Sequence, residues 1–196
     1  MLYYITDEIK CKIPCYVETI TIPPNVKQLM AQITLICPQG CFEGLERLRA
    51  DLSQIISYFT LPFTFPEGSF KISEVCKKVI ADIYNNSEIE VGMHIYFTAS
   101  STVVNPGIEN INTHETAQIN FTLEAGDSVH ISTYRGKKSI TLTRDGIGTN
   151  IFDCKTDEFT FLQLSPGLNQ IKYFADSNLE ALSVSIYYKE LFVGVS

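Results

Sequence analysis

The sequence predicts an all-β protein with at most one or two short helices, and three observations lead there. Short runs of Ile, Val, Thr, Tyr and Phe recur along the chain, most densely over residues 87–196. Each run is closed by residues that favour tight turns, such as Asn105-Pro106-Gly107, Asp145-Gly146 and Ser165-Pro166-Gly167. Hydrophobic residues make up 45% of the 196 positions and charged residues 19%, enough apolar material for a packed core and too little charge for a disordered chain.

Tyr16–Ile22 alternates as a half-buried strand does and stops at Pro23, Pro24 and Asn25. Leu29–Cys37 reads as a second strand, halted by Pro38, Gln39 and Gly40. From Phe42 the spacing changes. Phe42, Leu45, Leu48, Leu52, Ile55 and Phe59 fall three or four apart and Glu43 precedes Arg47 by four, so a helix is predicted that ends before Pro62. Residues 61–68, with Pro62 and Pro66, read as a loop or a broken edge strand. Ile72–Tyr84 fits helical spacing and strand alternation equally well.

Asn85, Asn86 and Ser87 form a polar turn between two different textures, dividing the chain into residues 1–86 and 87–196. Beyond it the strands are Val91–Ala99, Ala117–Leu123, Ser128–Tyr134, Ser139–Arg144, Glu158–Leu164, Gln170–Ala175 and Leu182–Lys189. Short strands at this spacing predict an antiparallel sandwich for residues 87–196.

The net charge of −7 is uneven, −1 over residues 1–86 and −6 over residues 87–196. An acidic chain without a Lys/Arg stripe cannot neutralise many phosphates, so no nucleic-acid partner is expected. Apolar runs such as Ile33–Cys37 are too short to cross a bilayer, and the start of the chain lacks the features of a signal peptide. The expectation is synthesis in a cytoplasm and no membrane partner. The near-neutral residues 1–86 suit burial in a protein interface better than the acidic remainder.

Cysteines stand at 11, 15, 37, 41, 76 and 154, and the two C-x3-C spacings raise a four-thiolate zinc reading. In an extended strand residues four apart lie roughly 13 Å from each other, too far to share one metal without a turn. Six free thiols and no metal site are therefore expected. Catalytic chemistry has no visible footing. His94 and His130 fall inside predicted strands and His114 in a polar loop, and no nucleophile elbow, metalloprotease pair or phosphate-binding glycine loop is present. Asp145–Asp153 has the outline of a calcium loop but lacks acidic ligands at the third, fifth and twelfth positions, so Asp145-Gly146 is read as a hairpin turn. No catalytic, cofactor-binding or metal-binding residue is assigned, and no enzyme activity or cofactor is expected. A carbohydrate-binding adhesion module contacting the host cell wall is the alternative function, with ten tyrosines but no Trp to stack on a sugar.

Several pieces of residues 87–196 resemble, in order and spacing, the C-terminal domain of phage distal tail proteins. They are Val91–Phe97, Thr102–Pro106, Asn120–Asp127, Phe161–Asn169 and Val184–Tyr188, preceded by Tyr84, Asn85 and Asn86. Cys15–Glu18 and Leu35–Pro38 look like later strands of the same family's N-terminal domain, which also favours strand for Val79–Tyr84; Gly40, Cys41 and Phe42 depart from the family's Pro and aromatic. The resemblance implies a partial N-terminal ring-forming β domain over 1–86 and a galectin-like β-sandwich over 87–196. It implies a virion structural protein of a long-tailed phage or prophage, a distal tail hub in a homo-hexameric ring joining tail tube to tail tip. Tape-measure and receptor-binding proteins are further implied partners. Family members carry a substantial segment before the stretch matching Met1, so the expectation is a chain lacking the first part of that ring domain. Galectin-like describes shape, and no sugar site comes with it.

Overall fold

The computed structural model of the protein describes residues 1–22, 31–57, 73–77 and 79–194, and the side chains of all of these except 53–57 and 73–77. In chain order the first strands are β1 (Leu2–Ile5), β2 (Lys10–Ile13), β3 (Tyr16–Thr21), β4 (Gln32–Ile36) and β5 (Phe42–Gly44). Then come β6 (Leu48–Asp51), β7 (Ser53–Ser57), β8 (Ser73–Lys77), β9 (Ile80–Asn85) and β10 (Met93–Ala99). These are followed by β11 (Val103–Val104), β12 (Gly107–Asn110), β13 (Glu115–Gln118), β14 (Thr122–Leu123) and β15 (Ser128–Ser132). The last are β16 (Ser139–Arg144), β17 (Ile147–Asn150), β18 (Gly167–Phe174), β19 (Leu182–Tyr188) and β20 (Leu191–Phe192). Two single 3-10 turns, Phe152–Cys154 and Leu179–Ala181, are the helical pieces among the described residues, so the protein is all-β.

A six-stranded sheet, β17-β16-β15-β10-β19-β6, and a four-stranded sheet, β13-β12-β18-β9, supply one hydrophobic core. All their pairings are antiparallel. Alternation decides which residues fill it. In β10, Met93, Ile95 and Phe97 are fully buried, while His94, Tyr96 and Thr98 keep some exposure on the other face. Ile108, Ile171 and Tyr173 join the core from the four-stranded sheet, and Val129, Ile131, Val184 and Ile186 from the six-stranded one. Each large side chain so buried is worth roughly 1.5–3 kcal/mol of transfer free energy. Ile83 of β9 and Leu52, just after β6, belong to the same cluster, so two strands from before Asn85 close edges of the two sheets.

A third sheet, β1-β2-β5-β20, buries Cys11 and Ile13. Its last strand arrives from the far end of the sandwich: Lys189 and Glu190 alone separate β19 from β20. β3 with β4, β7 with β8, and β11 with β14 form separate two-stranded pairs.

The helix predicted from Phe42 to Phe59 is not formed: the described part of that stretch is β5, β6 and β7. Three short strands broken by turns place apolar residues three or four apart by accident, and tertiary pairing decides. Leu52 donates its N–H to the Val184 carbonyl at 3.0 Å, a bond that a helix would have kept for itself, and Gly44 donates to the Glu190 carbonyl at 2.8 Å. Ile72–Tyr84, ambiguous in sequence, contains β8 and most of β9. Glu158–Leu164 is not a strand either; it is held by isolated bridges from Phe159 to Thr116 and from Leu164 to Val91. Asp145 (φ 52°) and Gly146 (φ 78°) do make the hairpin turn between β16 and β17, with the two left-handed residues that a tight hairpin needs. The turn at Pro23–Asn25, the start of the strand assigned to Leu29–Cys37 and the loop over 61–68 lie outside the described residues.

Candidate functional site

Two surfaces stand out. The first is the ribbon of β3 and β4, paired from Tyr16 opposite Ile36 to Thr21 opposite Gln32, with an irregularity at Glu18. All six residues of β3 are exposed. Tyr16, Val17 and Ile20 on β3, Ile22 just after it, and Ile33 and Ile36 on β4 lie 48–69% open to solvent. Ile20 sits directly opposite Ile33, so their side chains share one face of the ribbon. A two-stranded ribbon is marginal by itself in water, and apolar residues clustered on it mark a surface built to be covered. β1 adds to this: it is an edge of its sheet, and Leu2, Tyr3 and Ile5 on it are exposed as well.

The second surface is the solvent face of the six-stranded sheet, where a row of rings crosses β19, β10 and β15. The Arg47 guanidinium lies 4.1 Å from the centre of the Tyr187 ring. Tyr187 meets Tyr96 edge-on at 5.6 Å. Tyr96 stacks on His130 at 4.6 Å with 15° between planes, and His130 lies 4.9 Å from His94. Tyr134 closes the row, 4.8 Å from His94. His94 Nδ1 and His130 Nε2 share a hydrogen bond of 2.9 Å. Register explains the meeting: Tyr96 is directly opposite His130, and His94 is one same-face step away. Tyr134 reaches the row because Gly92 lets the chain pass it; a Cβ there would stand 2.8 Å from the Tyr134 Cα.

The electrostatics of this face follow from partial burial among cations. Burial holds His94 below the usual histidine value, helped by His130, Arg47, Lys137 and Lys189, and burial with Arg47 does the same for His130. Both imidazoles are therefore neutral at pH 7, and because one donates to the other, the pair has one donor and one acceptor left. Burial, then Glu43, raises the Tyr134 phenol, which stays protonated. Glu43 is already engaged with Lys189 at 2.8 Å.

In sequence His94 and His130 fall inside two separate predicted strands; the pairing register that joins them is not visible in one-dimensional spacing. His114 sits apart in the turn between β12 and β13 with φ of 60°. Cys11, Cys15, Cys37, Cys41 and Cys154 are unpaired thiols, while the side chain of Cys76 lies outside the described residues. Among the described residues no three of His, Cys, Asp and Glu gather as a metal site.

The family model of the siphovirus-type tail component, C-terminal domain, matches residues 86–192. No curated protein matches the chain. Among solved structures it is similar to the Dit protein of phage SPP1, described as a paradigm of the hub adsorption apparatus in phages infecting Gram-positive bacteria. That likeness has a TM-score of 0.59 at 9% identity over 94% of this chain and 60% of that one. The baseplate of phage P2 in its activated conformation with Ca gives a TM-score of 0.49 at 12% identity, over 96% of this chain and 67% of that one. The chain spans about 60% of the length of the SPP1 protein, whose fold it shares. With more than half of its residues matched by the family model, the chain belongs to the siphovirus-type tail components, carrying their C-terminal domain.

Proposed function

We propose that this protein is a structural hub at the distal end of a long phage tail, acting in a closed ring between tail tube and tail tip. The observation that carries the reading is the β3–β4 ribbon, whose exposed apolar side chains call for a covering surface. The occupant is a second copy of the same chain. Residues 1–86 are nearly neutral, at −1, whereas residues 87–196 carry −6, so contacts between copies cost least repulsion through the first segment. Cyclic symmetry covers every such ribbon and every open β1 edge without leaving a spare one. Six copies, with the sandwich outside and receptor-binding or tape-measure proteins docking on the ring, complete the proposal. Family membership and the hub role named for the SPP1 protein support it.

The test is mass photometry and negative-stain imaging of the full chain beside a variant carrying Ile20→Asp and Ile33→Asp. Closed rings from the parent and single chains from the variant, with the sandwich still folded by circular dichroism, are expected. A parent that stays monomeric at tens of micromolar, or a sandwich fragment that oligomerises as the whole chain does, sinks the reading.

A further inference from the structure

We infer that the solvent face of the six-stranded sheet is a binding site for an anionic saccharide, a sugar bearing a carboxylate, phosphate or sulfate. The inference goes beyond the hub reading and does not depend on it. The row from Arg47 to Tyr134 lies along a cleft of about 430 Å³ lined in part by His94, Tyr96, Lys137 and Lys189. A second cleft of about 340 Å³ continues it, sharing Arg47 and Tyr96 and adding the hydroxyls of Thr98 and Ser128; the Ser185 hydroxyl there donates to Asp51, whose carboxylate is paired with Arg49. Each falls within the range of small-ligand sites.

Three features select the ligand. Ring faces and edges of Tyr96, Tyr134 and Tyr187 on the solvent side of the sheet take no part in the principal core packing of β10, which Met93, Ile95 and Phe97 provide from the opposite face. Such rings suit the C–H faces of a sugar. Neutral imidazoles and hydroxyl side chains suit a ligand rich in hydroxyls, which both donates and accepts. Arg47, Lys137 and Lys189 gather here although the chain carries −7 overall, and the carboxylate among them, Glu43, is held by Lys189. Arg47 has no carboxylate partner among the described residues; it rests on Tyr187, leaving its planar donors for an acidic group. An extended peptide is disfavoured because β10, β15 and β19 are interior strands with both edges paired, so no backbone is offered to it.

The experiment presents the full chain with an oligosaccharide array holding neutral, uronic-acid, phosphorylated and sulfated members, followed by calorimetry on the best binder and its neutral counterpart. At least one anionic class is expected to bind, about tenfold or more tighter than its neutral counterpart, with the class bound identifying the acidic group. Arg47→Ala and, on the exposed turn, Lys137→Glu should each weaken binding about tenfold, while Lys172→Ala on the other sheet should leave it unchanged. Lys137→Glu alters only an exposed side chain and so keeps the test valid if Arg47→Ala unfolds. Binding per chain should survive Ile20→Asp with Ile33→Asp, which separates this site from ring assembly. No anionic binder, equal competition by poly-glutamate or oligothymidylate, or variants that bind as the parent does would each overturn the inference.

Discussion

The side-chain amide of Asn85 donates to the carbonyl of Leu164, 79 residues away, at 2.9 Å. The same amide donates to Ile89 at 3.1 Å, and its oxygen accepts the N–H of Ser87 at 2.9 Å, all with Asn85 only 1% exposed. Ser87 in turn accepts the N–H of Leu191 through its hydroxyl at 2.8 Å. The polar triplet that reads as a turn thus also ties β9 to distant parts of the chain.

Asn85→Ala takes the partner from the buried Ser87 N–H and the half-buried Ile89 carbonyl, while the Leu164 carbonyl keeps its bond from the Val91 N–H; it is expected to cost about 1–3 kcal/mol, read as a lower urea midpoint with an unchanged slope. A midpoint equal to the parent's would mean that water replaces these bonds at no cost.

The His94–His130 pair makes stability depend on pH. Both side chains have folded values below the ordinary 6.5, so the unfolded chain binds more protons over that interval. Their contribution is full above about pH 6.5 and is lost as pH falls from there through the lowered folded values. Melting temperature should drop between pH 7 and pH 5, and replacing both residues by Gln should flatten that drop. Asp127 acts in a separate window. Its bond to Arg144 at 2.9 Å, through Nε, lowers its carboxyl below the usual 3.8, so its contribution fades only in stronger acid.

Thiol titration in denaturant without reductant is expected to count six, and elemental analysis no stoichiometric zinc. In the native state Cys11 should react slowest of the five described thiols, since it is fully buried and burial raises its thiol. One zinc held per chain would refute the free-thiol expectation.

We propose that residues 87–196 fold without residues 1–86, giving a β-type circular dichroism spectrum and a cooperative melt. A fragment beginning at Val79 retains β9, which pairs with β18 from Gly167 to Lys172 and contributes Ile83 to the core. It should melt higher than the shorter one by more than about 5 °C. A molten or helical short fragment would defeat the proposal.

Much of the sandwich was legible because its signals are local. Alternation marked β10, β15, β16 and β19 to within a few residues, and Asp145-Gly146 marked its own turn. What was not legible depended on partners. β6 is four residues long and exists because Leu48–Asp51 can pair with Tyr188–Ser185, information that Leu45, Leu48 and Leu52 do not carry in their spacing. β17, Ile147–Asn150, is exposed along its length and so shows no apolar alternation to find. The ring row fared worst. Each of its members looks ordinary alone, and only the registers of β10 with β15 and β19 assemble them.

The passage of the chain from β19 straight into β20 has a mechanical meaning. β20 lies on β5, with Leu191 opposite Glu43 and Phe192 opposite Phe42, while Glu190 and Lys189 bond to Gly44 and Glu43. Tension between the β1-β2-β5-β20 sheet and the sandwich leaves β5 by two routes, along the chain through residues 45–47 into the edge strand β6 and across β20 into β19, in the interior of the six-stranded sheet. That sheet is no loose appendage: peeling β6 from the sandwich edge leaves β20 still holding β5, and the remaining load falls on β19, which is paired along both edges.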